Sequence, residues 1–424
     1  MLKGDGIMLG IHFKKLFGRF DYDVTFNAEG LTILTGPNGF GKSTILKSIE
    51  ALGKEFEGII FFMRLDFEQI IIDFTDEKKL VINKVDNDLK INGTLISGER
   101  IKKYIERDTY LSKINEDTWI DRRRIRVNLS DYINDFLSDD SYDKEINLKE
   151  IQTLLKEIKK LVNSKIYLIK EQRLIRENKN RFKEQEVINI IEDLPRRFKE
   201  LVQKVQQNYS ITANGLDSTY PNRLFSTEEG ITEFDYKIKI EEMSSKFEAL
   251  NKYDLSNMQN FKNVIFRKEH AKALKIYFED FEIKYKVYED FVKKLDLFTD
   301  IINQRFTFKK IKISKEFGIG IVDEKNKKLK LSQLSSGEKQ EIILFYDLIF
   351  GTQKDILLLI DEPEISLHIV WQKKFMDDLL KIIKYKGFNV IVATHSPQII
   401  NNHWDKQIDL GELYGKQLNK RKFK

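Results

Sequence analysis

The chain has 424 residues, with 73 Lys and Arg against 67 Asp and Glu, five histidines and no cysteine. Apolar residues at 41% and interspersed charges at 33% exclude general disorder. The missing cysteines exclude disulfides, thiol catalysis, iron–sulfur clusters, cysteine-type zinc sites and a zinc hook. The apolar run 356–360 is far shorter than the roughly 20 residues that cross a bilayer. The N-terminus lacks a basic-then-apolar leader, so a cytoplasmic protein without membrane contact is expected. The net charge of +6 is too mild to identify a nucleic-acid binder. Two local clusters, Arg122, Arg123, Arg124 and Arg126, and Lys416, Lys420, Arg421, Lys422 and Lys424, suit a solvated face as well as phosphate contact.

Residues 9–27 read as strands with a turn at Gly18, and LTILT runs straight into GPNGFGKSTILKSIEAL, whose second half has helical spacing. Short apolar runs over 58–92 predict an antiparallel meander. The pattern over 97–163 is helical, clearest at Ile151, Leu154, Leu155, Ile158 and Leu161. IYLI at 166–169 predicts a short strand before KEQRL, and a helix is expected near 184–208, interrupted or started at Pro195. From Leu274 through Phe278, Phe281, Tyr285, Tyr288, Val292, Leu295 and Thr299 to Ile302, apolar sites alternate spacings of four and three. Such a seam suits both a helix lying on a core and a projecting antiparallel pair. Strands at 309–322 and 328–331, a helix opened by LSSGEKQ, the strand ILLLIDE, a helix near 366–386, the strand NVIVAT and a polar tail complete the order.

Gly36, Pro37, Asn38, Gly39, Phe40, Gly41, Lys42, Ser43 and Thr44 satisfy the P-loop pattern between a strand and a helix. Glycines let backbone N–H groups turn toward phosphate oxygens, Lys42 reaches the β and γ phosphates, and the Ser43 hydroxyl can hold Mg²⁺. Asp361 and Glu362 end a buried strand, where the first can hold magnesium and the second can polarise an attacking water. NKVD at 83–86 matches a guanine-reading pattern, but it lies inside a meander with no magnesium switch sequence before it, so it is read as chance and ATP as the nucleotide.

Together GPNGFGKST, LSSGEKQ, ILLLIDEPE and ATHS resemble the ABC-type ATPases, whose heads pair around two ATP molecules. The resemblance implies that Ser335, Ser336, Gly337 and Glu338 form a signature loop facing the γ-phosphate of a partner head. It implies that His395 contacts the γ-phosphate within its own head, and that Gln172 is the Q-loop glutamine sensing magnesium and water. Glu338 stands where many members have Gln, and the segment after the acids lacks the usual D-loop aspartate. The long stretch between Lys42 and Gly337 is similar to the SMC-like branch, which includes RecF-type repair proteins, the OLD nucleases, whose head it resembles without the nuclease domain, and the stand-alone ATPases of antiphage systems of PARIS, Septu and AbiL type.

The expected architecture is an α/β ABC-type P-loop head with an antiparallel β subdomain and a helical, short coiled-coil insertion. Its expected parts are an N-terminal lobe over 1–96, an insertion over 97–305 with the Q-loop near 172 and an arm near 231–302, and a C-terminal lobe over 306–424. The implied function is hydrolysis of ATP with Mg²⁺ by a self-associating dimer that controls a separately encoded effector such as a nuclease, in antiphage defence. The stretch after His395 is too short for a carboxylate-metal nuclease domain, so an effector is expected elsewhere. The alternative is a RecF-type repair clamp, whose partner would be double-stranded DNA bound with a steep salt dependence.

Overall fold

The computed structural model describes residues 6–99, 112–113, 118–120, 126–128, 148–169, 175–177, 187–256, 265–315, 318–353, 356–365 and 367–422. In chain order the elements are β1 (Met8–Leu16), β2 (Phe20–Thr25), β3 (Leu31–Thr35), α1 (Lys42–Leu52), α2 (Glu55–Arg64), β4 (Gln69–Phe74), β5 (Lys79–Val85), β6 (Asp88–Ile91) and β7 (Thr94–Ile96). There follow β8 (Ser112–Lys113), β9 (Thr118–Ile120), β10 (Arg126–Asn128), α3 (Leu148–Leu161), β11 (Lys165–Ile169), β12 (Ile175–Glu177), β13 (Val187–Asn189), α4 (Ile190–Ser226), α5 (Glu233–Asn251) and α6 (Ala271–Asn303). The last are β14 (Lys309–Ser314), β15 (Gly318–Asp323), β16 (Lys328–Leu329), α7 (Ser336–Tyr346), β17 (Ile356–Asp361), α8 (Ile369–Lys386), β18 (Asn389–Ala393), α9 (Pro397–Ile400), β19 (Gln407–Asp409) and α10 (Leu410–Lys422).

The chain divides into two units, one of residues 1–173, 177–187 and 352–424, the other of 174–176 and 188–351. Residues 306–351, grouped by sequence with the C-terminal lobe, fall in the second.

In the first unit LTILT and ILLLI bury every residue, as strands covered on both faces must. They join a parallel sheet in the order β11-β17-β18-β3-β19. Its register sets Asp361 opposite Ala393, so the carboxyl ends of β3, β17 and β18 open side by side, where α/β sheets bind ligands. A second, antiparallel sheet runs β2-β1-β4-β5-β6-β7. It alternates inward Ile70, Ile72 and Phe74 with half-exposed neighbours, the pattern of a sheet with one wet face. One buried cluster links Ile11 and Val24 of this sheet, Ile45 and Ile49 of α1, and Leu359 and Ile391 of the parallel sheet.

Three readings of local structure are corrected. Residues 55–64 form α2 rather than the first strand of a meander, because Phe56, Ile59 and Phe62 lie three apart on one buried helical face. Within 97–163 the described residues include the antiparallel strands β8, β9 and β10, where a helix was expected, and the helix α3 at the residues where the periodicity was clearest. The segment after ATHS, read as a polar tail, carries a strand and a helix: β19 extends the parallel sheet, and Tyr414 of α10 meets Phe20 and Phe40 at ring distances of 5.0 and 5.9 Å.

Helix α2 crosses α1 at Gly58, where an added Cβ would stand 1.9 Å from the carbonyl oxygen of Ala51. Backbone cannot rotate aside, so Gly58→Ala is expected to destabilise the first unit by about 1–3 kcal/mol or more. Urea unfolding of the variant measures it, and an unchanged midpoint would overturn this packing.

In the second unit α4 runs through Pro195 and Pro221, past the expected end near 208. Along α6 the seam residues Phe278, Phe281, Tyr288, Val292, Leu295, Thr299 and Ile302 are buried, and so are Ile276, Phe291, Phe298 and Ile301. That wider stripe is the mark of a helix packed on a core, here α4, α5 and β14, and is broader than a two-helix seam.

Candidate functional site

Strand β3 delivers the chain to the loop 36–41, where Gly39 (φ +82°) and Gly41 (φ +89°) occupy the left-handed region that side chains avoid. A Cβ at Gly39 would meet nothing within 4 Å, so the space beside the loop is open to a phosphate. Lys42 opens α1 with its side chain 5% exposed, donating from Nζ to the carbonyl of Gly36 at 2.9 Å and standing 3.9 Å from Glu362 Oε1. The C-terminal segment walls this loop. Asp409 accepts from Thr35 Oγ1 at 3.1 Å and from the Gly411 N–H at 2.7 Å, while Tyr22 donates to the Phe40 carbonyl at 3.0 Å.

Ser43 Oγ donates to Asp361 Oδ1 at 3.0 Å, bringing together two hard oxygen donors of the kind Mg²⁺ prefers. These donors fit the ion the P-loop implies, and Ser43 and Asp361 would hold it. Beyond Asp361 the backbone of Glu362 takes φ +44°, an uncommon conformation for a residue with a side chain, fixed by donation from its N–H to the Ala393 carbonyl at 2.9 Å. Glu362 Oε2 then lies 2.5 Å from His395 Nδ1. Burial, and next the neighbouring Glu364 carboxylate, lift Glu362 to about 7, with His395 opposing. A carboxyl poised there suits general-base work near neutrality.

Glu364 was missed by sequence reasoning. Its Oε1 accepts from Thr394 Oγ1 at 2.6 Å, from the His395 N–H at 2.9 Å and from the Ser396 N–H at 3.1 Å, and it lies 3.2 Å from His395 Nδ1. The available signal was a third acid three residues beyond Asp361. Glu364→Ala takes the acceptor from Thr394 Oγ1 and from the His395 N–H, while the Ser396 N–H keeps Thr394 Oγ1 at 3.0 Å; a buried donor left unmade costs about 1–3 kcal/mol. A loss of about 2 kcal/mol or more in stability is expected together with reduced turnover, and Glu364→Gln, which keeps an acceptor oxygen, should lose less. Thermal unfolding beside ATPase assay checks this; equal stability of Ala and wild type would refute it.

The signature residues stand in the second unit. Ser335 caps α7, its Oγ accepting from the Glu338 N–H at 3.3 Å while its own N–H donates to Glu338 Oε2 at 2.8 Å. Ser336 and Gly337 therefore open a helix whose first N–H groups lack intrahelical partners. Lys309 of β14, also missed by sequence, holds Glu338 from Nζ at 3.0 and 3.1 Å. Burial pushes the Glu338 carboxyl up, but the Ser335 N–H and Lys309 outweigh it and keep it below its ordinary range.

Thus Lys42, Ser43, Asp361, Glu362 and His395 come together in the first unit, and Ser335, Ser336, Gly337 and Glu338 form a cluster of the second. Gln172 and the basic cluster Arg122, Arg123 and Arg124 lie outside the described residues, although β11, which leads toward Gln172, pairs with β17 residue for residue.

Among curated proteins, the chain is 36% identical over 93 residues to the retron Ec83 probable ATPase of Escherichia coli, covering 19% of this chain and 16% of that protein. It is 40% identical over 55 residues to a probable branched-chain amino acid transport ATP-binding protein, LivF, of Archaeoglobus fulgidus, covering 13% and 23%. The chain thus spans under a quarter of the length of either relative. Among solved structures, the Smc head domain with an extended coiled coil from Pyrococcus furiosus, bound to the C-terminal domain of ScpA, aligns over 95% of this chain and 93% of its own at 13% identity and a TM-score of 0.35. The SMC head domain from Thermotoga maritima aligns over 93% and 91% at 12% identity and a TM-score of 0.33. The family described as AAA domain, putative AbiEii toxin, Type IV TA system, matches residues 31–401, a stretch that takes in β3, the phosphate loop, the signature, the acidic pair and His395. With most of its length and all of these motifs inside that match, the chain belongs to this family of P-loop ATPases.

Proposed function

We propose that the chain hydrolyses ATP, and that two copies associate around the nucleotide so that the signature loop of one meets the γ-phosphate held in the other. The single observation that carries the reading is the convergence at the carboxyl ends of β3, β17 and β18. There the Ser43–Asp361 contact of 3.0 Å and the Glu362–His395 contact of 2.5 Å flank Lys42. The loop N–H groups and Lys42 bind the phosphates. Ser43 and Asp361 would hold Mg²⁺, which would supply charge neutralisation to the phosphates. Glu362 takes the proton of the attacking water, and His395, fixed by Glu364, orients that carboxylate and reaches the γ-phosphate. Gln172 completes the set as the residue sensing water and magnesium. Ser335 and the opening N–H groups of α7 supply the closing donors from the second copy.

The cycle, in this reading, restrains or releases a separate effector in antiphage defence. The family description and the similarity to a retron ATPase support it. An ATP-driven closure needs a differential affinity of only a few kcal/mol to reverse the populations of open and closed states. The test is a pull-down of the tagged chain from cells expressing its neighbouring genes, with ATP and with ADP, beside sedimentation of the purified protein. Association that requires ATP and is lost in Lys42→Ala, with a stoichiometric protein recovered, is the expected result. A monomer at saturating ATP would overturn the paired-head reading, and recovery of nuclease-sensitive DNA without protein would overturn effector control in favour of the DNA clamp.

A further inference from the structure

A cavity of about 450 Å³ lies among α4, α5 and α6, within the size range of small-molecule sites. Its walls are aromatic: Tyr209 and Tyr220 from α4, Phe247 from α5, and Phe281, Tyr285 and Tyr288 from α6. Tyr209 and Tyr288 meet at 5.1 Å between ring centres, and Phe281 meets Phe247 at 4.7 Å and Tyr285 at 6.1 Å. These contacts keep the ring faces in fixed positions without filling the space between them.

Charge around the cavity cancels. Arg223 pairs with Asp280, Nη2 to Oδ2 at 2.8 Å; Lys284 pairs with Asp217 at 2.9 Å; Lys246 pairs with Glu282 at 2.6 Å. Each cation already has its carboxylate, so the walls select neither an anion nor a cation. Polar chemistry remains all the same. Tyr288, 4% exposed, lines the cavity and brings a phenol hydroxyl to its wall. Flat apolar faces combined with that hydroxyl suit a ligand that is planar, uncharged and able to hydrogen-bond at its edge.

We propose that this cavity binds a heteroaromatic ring of nucleobase type, stacked on the tyrosines and held at its edge by the Tyr288 hydroxyl. The site is separate from the phosphate loop and stands whether or not ATP is hydrolysed. Nucleosides are suitable probes because they carry no phosphate for the loop to hold.

Calorimetry of the full chain with adenosine, guanosine, cytidine and thymidine, each also with Lys42→Ala, tests it. At least one nucleoside is expected to bind equally to wild type and Lys42→Ala. Tyr209→Leu should weaken that binding at least about fivefold through lost stacking. Tyr288→Phe, which removes one oxygen from an otherwise unchanged ring, should weaken it roughly two- to tenfold with the unfolding midpoint unchanged. The proposal is overturned if none of the four binds at millimolar concentration, if Lys42→Ala abolishes binding, or if Tyr288→Phe binds as wild type.

Discussion

Glu362→Gln is expected to lower ATP turnover by roughly 10²–10⁴-fold, the usual contribution of a general base, while ATP binding stays within a few-fold of wild type. The substitution keeps size and shape, so the contact of 2.5 Å to His395 has a geometric successor, and a side chain still occupies the backbone conformation at φ +44°. What disappears is a carboxylate able to accept a proton. Removing its negative charge from the neighbourhood of Lys42 and of an incoming γ-phosphate should, if anything, tighten binding. Substrate would then be held but not turned over. Sedimentation with ATP should accordingly show Glu362→Gln as a longer-lived dimer than wild type. Turnover within threefold of wild type would remove Glu362 from the base role and shift attention to His395 or Glu364. Loss of ATP binding would show instead that the carboxylate shapes the loop.

The motifs of this site were legible because each is a local event: a glycine loop between strand and helix, acids at the end of an apolar strand, a serine capping a helix. IYLI was legible as a short apolar strand, but its place beside ILLLI was not. Glu364 and Lys309 were not legible, since a charged residue declares its role only when its partners are known, and Thr394 and Glu338 are distant in sequence. The same holds for the tail. Asp409 and Tyr414 read as polar or isolated until β19 pairs with β3 and sets them against the phosphate loop. The misread α2 has another cause: a continuous apolar run such as IIFFM has no period to separate helix from strand, and tertiary packing through Gly58 decided it. Along α6, spacing revealed one buried row but not the second, because Ile276, Phe291, Phe298 and Ile301 are interleaved with it.

Breaking the pair between Arg305 and Glu341 is expected to cost about 3–5 kcal/mol, the largest stability effect in the second unit. Both side chains are 1% exposed and paired directly. Arg305 also donates from Nη1 to the Ile301 carbonyl at 2.9 Å, and its guanidinium lies 4.7 Å over the Phe345 ring. Arg305→Met would strand the Glu341 carboxylate in an apolar interior, which is where the cost arises; the pair itself is a weak net stabiliser because both ions gave up their water. The double variant Arg305→Met with Glu341→Leu should therefore recover most of the loss. Urea unfolding followed by far-UV dichroism distinguishes the cases, and a double variant no more stable than Arg305→Met would overturn this account. Glu341 lies on α7, the helix that opens with Ser336 and Gly337, so the double variant also separates stability from positioning. If it regains stability yet fails to associate with ATP, the charged pair fixes the pose of the signature turn. If it regains both, apolar packing alone suffices to hold that helix in register.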